Sequence, residues 1–575
     1  MKGNILSATK SLQVLFAALL SLTCQIGQAD ADVVIIADHV ITMAPGERSA
    51  KPLALAIAGE KISWVGSHEE AKAHIGDTTE VVRLGKEAVL PGFIDAHGHV
   101  AAVGLMADLA NIASPPVGPV TNIATLQEEL KRYIEDREVP EGEWVVGRGY
   151  DDSLLAEFRH PNRDDLDAVS TKHPILLIHV SGHLSAVNSR ALARGGINAE
   201  SPDPPGGHIR RRPNSTEPNG VLEETASSAF RQYMTPTNSP VDNIAAAMRI
   251  YASNGITTAQ DGGANPGIIG MLKAADAAGK VDIDVVAFPF GQFDESAIAD
   301  TYEFRKYDGR IKVAGIKLML DGSPQGKTAY MTRPYKVPPH GQDAAYRGYP
   351  NIPQPRVSQL VKHYMANDIP IIAHANGDAA ADMLIQAVQD SGYGRDKDHR
   401  TVMIHAQTVR EDQLTAMKQY GLVPSYFAAH TFYWGDWHRD SVFGVERARR
   451  ISPSATTLGR GMPFTIHNDA PVVPPDMMRL IWAATNRLTR SNQALGPEQR
   501  ISTYDAIKAV TLNAAYQHFE DATKGSLEVG KQADLVVLSE NPLATDTEAL
   551  LDIDVLATYS RGRQVFAAQP SSAGL

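Results

Sequence analysis

Along the middle of the chain, short apolar runs alternate with longer segments whose apolar residues return every three or four positions. The runs are AVLPGFIDAH, GITTAQDGG, VDIDVVAFPF, VAGIKLMLDG, IPIIAHANG, TVMIHAQ, LVPSYFAAH and PFTIHND. Between them lie helix-like segments such as NIAAAMRIYASN, VSQLVKHYMAND, AAADMLIQAVQDS and EDQLTAMKQYG, and ISTYDAIKAVTLNAAYQHF follows the last run. Eight strands alternating with helices predict an α/β protein built as a (β/α)8 TIM barrel, here over residues 91–520.

Two regions break this rhythm. β-patterned runs precede the barrel (DVVIIADHVITM, LALAIAGEKISWVG, EVVRLG) and follow it (GSLEVGKQADLVVLSE, VLATYSRGRQVFA). Neither set makes a comfortable sheet alone, so residues 30–90 and 521–575 are expected to combine into one composite β-sandwich domain. The stretch from about 121 to 234, with WVVGRGYDD, PILLIHVSGHLSAVNS and SPDPPGGH, reads as a long insertion between the first two barrel strands, overhanging the active site. A structureless loop of that length would be improbable, so it should carry its own strands and helices.

Composition narrows the partners. Lys+Arg 54 against Asp+Glu 66 lacks the basic balance of a general nucleic-acid binder. RHPNR and the Arg210–Arg212 run read as solvated loops. Lys2 and Lys10 precede an apolar LQVLFAALLSLTC and small-residue cleavage sites, so residues 1–29 read as a signal peptide. The run is too short for a comfortable span, and an exported protein without a stable membrane anchor is expected, periplasmic where the cell has a periplasm. Cys24 is the only cysteine, and cleavage removes it. Any metal must then be held by His, carboxylate or modified Lys.

Such residues stand at the C-terminal ends of the predicted strands: His97 and His99, Lys317, His374, His405 and Asp469. A barrel brings those ends to one face. His-Gly-His places two imidazoles on the same side of an extended chain. Lys317 is a charge inside a buried strand, which is costly unless paired or neutralised. Carboxylation by carbon dioxide would turn it into a metal-bridging carbamate; an ion pair with Asp321 is the plainer alternative. Asp469 would bind metal and take a proton from attacking water, whereas alone it would read as a cap. Asp378 is a helix-start charge or a partner of the ligands. Tyr150, His183, Asp321 and His430 are candidates for the substrate site, as are Phe432, Tyr433, Trp434 and Trp437, while His467 reads as core.

PGFIDAHGH, IKLMLDGS, AHANGD, HAQ, HND and the closing GSLEVGKQADLVVL occur in the order that resembles the amidohydrolase superfamily. K-x-x-x-D-G-S with HPNRDDLDAVS and GHLSAVNS is similar to its YtcJ-like branch, which includes N-substituted formamide deformylases. Asn468, where that branch often has Ser, and Pro324-Gln325, where it often has Leu-Gly, depart from the pattern. The resemblance implies a distorted barrel with two divalent metals, usually zinc (Zn2+). His97, His99 and Asp469 would hold one and His374 and His405 the other, with carboxylated Lys317 bridging. It implies hydrolysis of a C–N bond in a small amide, N-formyl or N-acyl substrate by metal-activated water. Lactone or ester opening, a mononuclear deaminase and a non-catalytic relic barrel are the rivals. A homodimer through the β-sandwich is compatible with the pattern.

Overall fold

The computed structural model describes residues 31–569 apart from 153, 181–183, 205–206, 234–238, 294–297, 299 and 340–341. The expected signal peptide and His183 lie outside the described residues. No helix among them is long and apolar enough to cross a membrane.

The eight predicted barrel strands are present. They are β1 (Phe93–Ile94), β2 (Ile256–Ala264), β3 (Asp284–Pro289), β4 (Ile311–Val313 continuing as Ile316–Met319), β5 (Ile371–Ala375), β6 (Val402–His405), β7 (Val423–Tyr426) and β8 (Thr465–Ile466). β1–β2–β3 and the first part of β4 pair in parallel in one sheet, and the second part of β4 pairs in parallel with β5 to β8 in another. A parallel bridge between Phe290 and Lys317 joins the two sheets. At the other seam the amide of Asp469 donates to the His97 carbonyl at 2.9 Å, and that of His99 to the Ala470 carbonyl at 2.7 Å. The last strand is thereby tied to the first at the face where the ligand-type residues stand.

Alternation along these strands divides the core in two. Ile316, Leu318, Ile371, Ala373 and Met403 pack outward with the surrounding helices, whereas Val286, Phe288, Ile372, Val402, Ile404 and Val423 form a separate cluster within the barrel. Lys317 and His374, each between two outward residues, therefore point inward.

The two chain ends form one seven-stranded sheet. Leu535–Leu538 pairs antiparallel with the end of Glu80–Pro91, and Val33–Val40 lies on the other side of that strand. Val33, Ile35, Leu55, Val89, Leu535, Val537 and Tyr559 share one core, so the apolar face exists only when both ends are present. Asp284 at the start of β3 anchors this sheet to the barrel, with Lys524 Nζ at 2.5 Å and Arg561 Nη2 at 2.9 Å. Burial would raise its pKa, but Lys524 and Arg561 outweigh that and hold it down.

The insertion is a six-stranded sheet in the order Gly207–Arg211, Pro218–Glu224, Leu184–Val187, Ile175–His179, Val145–Tyr150 and Ala110–Asn111. It takes in Ala110–Asn111, ahead of the boundary read near 121. Two residues are too short to register as a strand in the sequence.

Two buried histidines outside the candidate site set an acid limit. Burial pushes His438 down to about 3 from 6.5, and burial with Lys312 nearby does the same to His518. A base depressed in the folded state favours folding fully above its unfolded pKa and loses that contribution as pH falls toward the folded one. Each should therefore remove about 1.4 kcal/mol per pH unit below about 6.5. Urea midpoints should decline steadily between about pH 6.5 and 5; a flat profile there would contradict it.

Candidate metal centre

The six ligand-type residues converge at the barrel mouth. His97, His99 and Asp469 each offer a ligand atom, all within 4.8 Å of one another. Asp469 Oδ1 lies 3.5 Å from His97 Nε2 and 3.2 Å from His99 Nε2, and Oδ2 lies 3.8 Å from His405 Nε2. Lys317 Nζ sits 3.1 Å from His97 Nε2. The His374 and His405 rings stand edge to face, with centroids 4.6 Å apart. His99 is the exposed member, its side chain 33% accessible; His97 and Lys317 are each 1% exposed.

Other residues hold the ligands in place. His97 Nδ1 meets Gln260 Oε1 at 2.6 Å, and the Gln260 amide donates to the Ala96 carbonyl at 2.7 Å. Donation from Nδ1 leaves the Nε2 lone pair free for a cation. Gly262 is required here, because a Cβ on it would lie 2.3 Å from His97 Cε1. His374 Nδ1 is held by Asp321 Oδ1 at 3.1 Å, and Asp321 also accepts the amides of Tyr330, Asn376 and Gly377.

His405 follows the inward-facing Ile404, so an unbroken pleat would send its ring outward. Its φ of 69° breaks the pleat and swings the imidazole into the mouth. Asp469 is also left-handed, at φ 57°. Such conformations in non-glycine residues cost of order 1–3 kcal/mol each and gather at functional sites.

Burial dominates the electrostatics. It lowers His97 and His405 far below the ordinary value, with neighbouring histidines and Lys317 adding to the effect. It also pulls Lys317 down to about 7, against the attraction of Asp469. Burial would raise Asp469, but His99, His467 and Lys317 outweigh it and leave the carboxyl below its usual value. Neutral imidazoles beside an ionised carboxylate are the donor set of a divalent cation. Asp469 Oδ1 is buried and faces only the ring nitrogens of His97 and His99, as an oxygen that shares a metal with them would. The residues fit the group.

The remaining candidates divide. Asp321 lies behind His374, where it orients that ring and makes no ion pair with Lys317. Asp378 starts a helix and tethers the amide of Thr332 at 2.8 Å, away from the ligands. Tyr150 is fully buried in the insertion, its hydroxyl 3.3 Å from His160 Nδ1. His430 stacks on Phe427 at 3.9 Å, one ring beyond His405. Tyr433 and Trp434 line a cavity beside the site. His467, read from the sequence as core, belongs to the cluster: its Nε2 is 3.2 Å from His405 Nδ1 and its Nδ1 2.8 Å from Ser425 Oγ. Thr465, His467 and Asp469 share the inward parity of β8, which is the signal that could have found it.

Comparison with known proteins gives the family and the fold. A model of the amidohydrolase family matches residues 80–566. The N-substituted formamide deformylase of Arthrobacter pascens is 26% identical over 550 residues, covering 92% of this chain and 97% of that one. The YtcJ amidohydrolase of Bacillus subtilis (strain 168) is 25% identical over 534 residues, covering 88% and 94%. The crystal structure of an uncharacterized metal-dependent hydrolase from Pyrococcus horikoshii OT3 superposes with a TM-score of 0.70 at 21% identity, covering 90% of this chain and 99% of that one, and so supports the fold. With a family match across most of its length and a fold in agreement, the chain belongs to the amidohydrolase family, as a hydrolase of C–N bonds.

Proposed function

We propose that the protein cleaves the C–N bond of a small N-formyl or N-acyl amine with water. The observation that carries this reading is the meeting of His97, His99, Asp469 and Lys317 at one point of the barrel mouth, with His374 and His405 opposite. His97, His99 and Asp469 would hold one divalent ion, zinc by the character of the donors. His374 and His405 form a pair without a carboxylate of their own for a second ion. A carbamate on Lys317, formed when the neutral amine adds carbon dioxide and releases a proton, would complete that set. Divalent ions in these positions supply Lewis-acid polarisation of the carbonyl and a lowered pKa for water.

The chain's own residues do the rest. With Asp469 Oδ1 committed to the His97 and His99 side, Oδ2 takes the proton of the attacking water and returns it to the departing nitrogen. Gln260 and Asp321 keep the two imidazoles in register as charge moves. The amide and water become a carboxylic acid (formate for an N-formyl substrate) and the free amine. The name of the Arthrobacter relative supports the N-formyl class.

Chelator-stripped protein and zinc-reloaded protein should be compared on N-formyl amines, N-acyl amino acids, dipeptides and lactones. Amide hydrolysis that vanishes on stripping and returns with zinc is expected. Equal activity without metal, or turnover of lactones alone, would overturn the reading.

A further inference from the structure

Beside the ligand cluster lies a cavity of about 190 Å3, closed on one side by the insertion. Pro471–Val473, the segment leaving Asp469, forms one wall, and Tyr433 with Trp434 forms another. Leu154, Ile178 and Val180 of the insertion face them. A dry apolar cavity of about 150 Å3 already accepts benzene, so an aromatic or branched aliphatic group fits here.

Two guanidinium groups reach into this apolar space. Arg148 comes from the strand Val145–Tyr150, and Arg490 from the loop beyond the helix Met477–Asn486. Arg148 donates Nε to the Met106 carbonyl at 2.8 Å and makes no ion pair among the described residues. Arg490 lies over the Tyr433 ring, 5.4 Å from its centroid, and its Nε is buried without an acceptor. Burial works against the charge of both, and Asp151 is the first opposite charge acting on Arg490. Asp151 and His179 also line the cavity, His179 paired with Asp152 at 3.0 Å, so the two guanidiniums face one carboxylate beyond that pair. Arginine stays charged in such surroundings. A planar anion from outside would supply the acceptors that the protein does not.

We propose that this cavity is the subsite for the acid end of the substrate: an amide whose apolar substituent, aromatic or branched aliphatic, carries a carboxylate that pairs with Arg490 and Arg148. It rests on the amide-hydrolase reading for its chemistry, but the binding of the acid does not depend on turnover. The subsite is joined to the reacting centre by the segment Asp469-Ala470-Pro471, and an N-formyl or N-acyl amino acid is the simplest amide that carries such an acid.

The test uses matched pairs on the zinc-loaded protein. N-formylphenylalanine should exceed N-formylphenethylamine, which lacks the carboxylate, by about tenfold or more in kcat/KM. Arg490→Gln should bring that ratio toward one, mainly through the KM of the acid, while Arg490→Lys keeps part of the preference and shows that the position tolerates change. Phenylacetate should raise Tm more than phenylacetamide in the wild type, and Arg490→Gln should remove the difference. A ratio near one in the wild type, or an Arg490→Gln loss shared equally by both amides, overturns the subsite. Charge-dependent binding lost in Arg490→Gln, with neither amide hydrolysed, keeps the subsite and discards the amide reaction. Hydrolysis of both amides with binding indifferent to charge does the reverse.

Discussion

Asp469→Asn is expected to lower kcat by about 10²- to 10⁴-fold while leaving the chain folded. Asn keeps the shape of the side chain and is among the few residues at ease in the left-handed conformation that position 469 adopts at φ 57°. It cannot take a proton from water, so the loss should fall on kcat. The carboxyl lies below its usual value, so the wild type should hold the base ionised throughout the neutral range and lose activity only as pH falls through that lowered pKa. Metal content must be measured beside the rates, because Asn also removes a charge from the His97 and His99 side. A variant within twofold of wild type at equal metal load would remove Asp469 from the proton path.

Lys317→Met should abolish measurable turnover and lower the metal content by one ion per chain, because the His374 and His405 side then has no bridging acid. The same substitution should stabilise the metal-free protein. Lys317 is held at about 7 in the fold against 10.5 when unfolded, chiefly by burial. A depressed base opposes folding below its unfolded pKa, and the cost grows as pH falls from 10.5 to about 7 and is constant below. At neutral pH it is of order a few kcal/mol, and methionine of similar length does not incur it. The metal-free variant should thus melt higher than the metal-free wild type at pH 7, with the gap closing toward pH 10. Unchanged metal content and activity in Lys317→Met would end the bridging role; an unchanged melting point would show that the buried amine costs nothing.

Much of this arrangement could be read from the chain because parallel strands bury both faces and leave a simple mark: an apolar run that ends in one ligand-type residue. Lys317 and His374 followed directly, since alternation fixes their direction. His405 stands out only by its place in the series. What turns it inward is a backbone angle that no pattern of side chains announces. His467 reads as core because it lies within an apolar run, though its parity with Asp469 marks it as inward. Gln260 and Gly262 were hidden in GITTAQDGG for a similar reason, as their importance depends on a ring that arrives from β1. From sequence Asp321 reads as a partner of Lys317 or of substrate, while the fold spends its oxygens on His374 and three amides. The insertion is the least legible part. Arg148 and Arg490 become neighbours of one cavity only through the packing of separate layers, and sequence distance hides such pairs.

The seven-stranded sheet has a consequence for how the molecule is made. Its central pairing joins Ala88–Pro91 to Leu535–Leu538, so the edge of the first strands stays open until the far segment of the chain reaches it. Contacts between such distant segments form slowly, and an exposed strand edge is a template for any other chain nearby. Completing the sheet therefore covers that edge, and the Arg561 contact with Asp284 ties the completed sheet to the barrel.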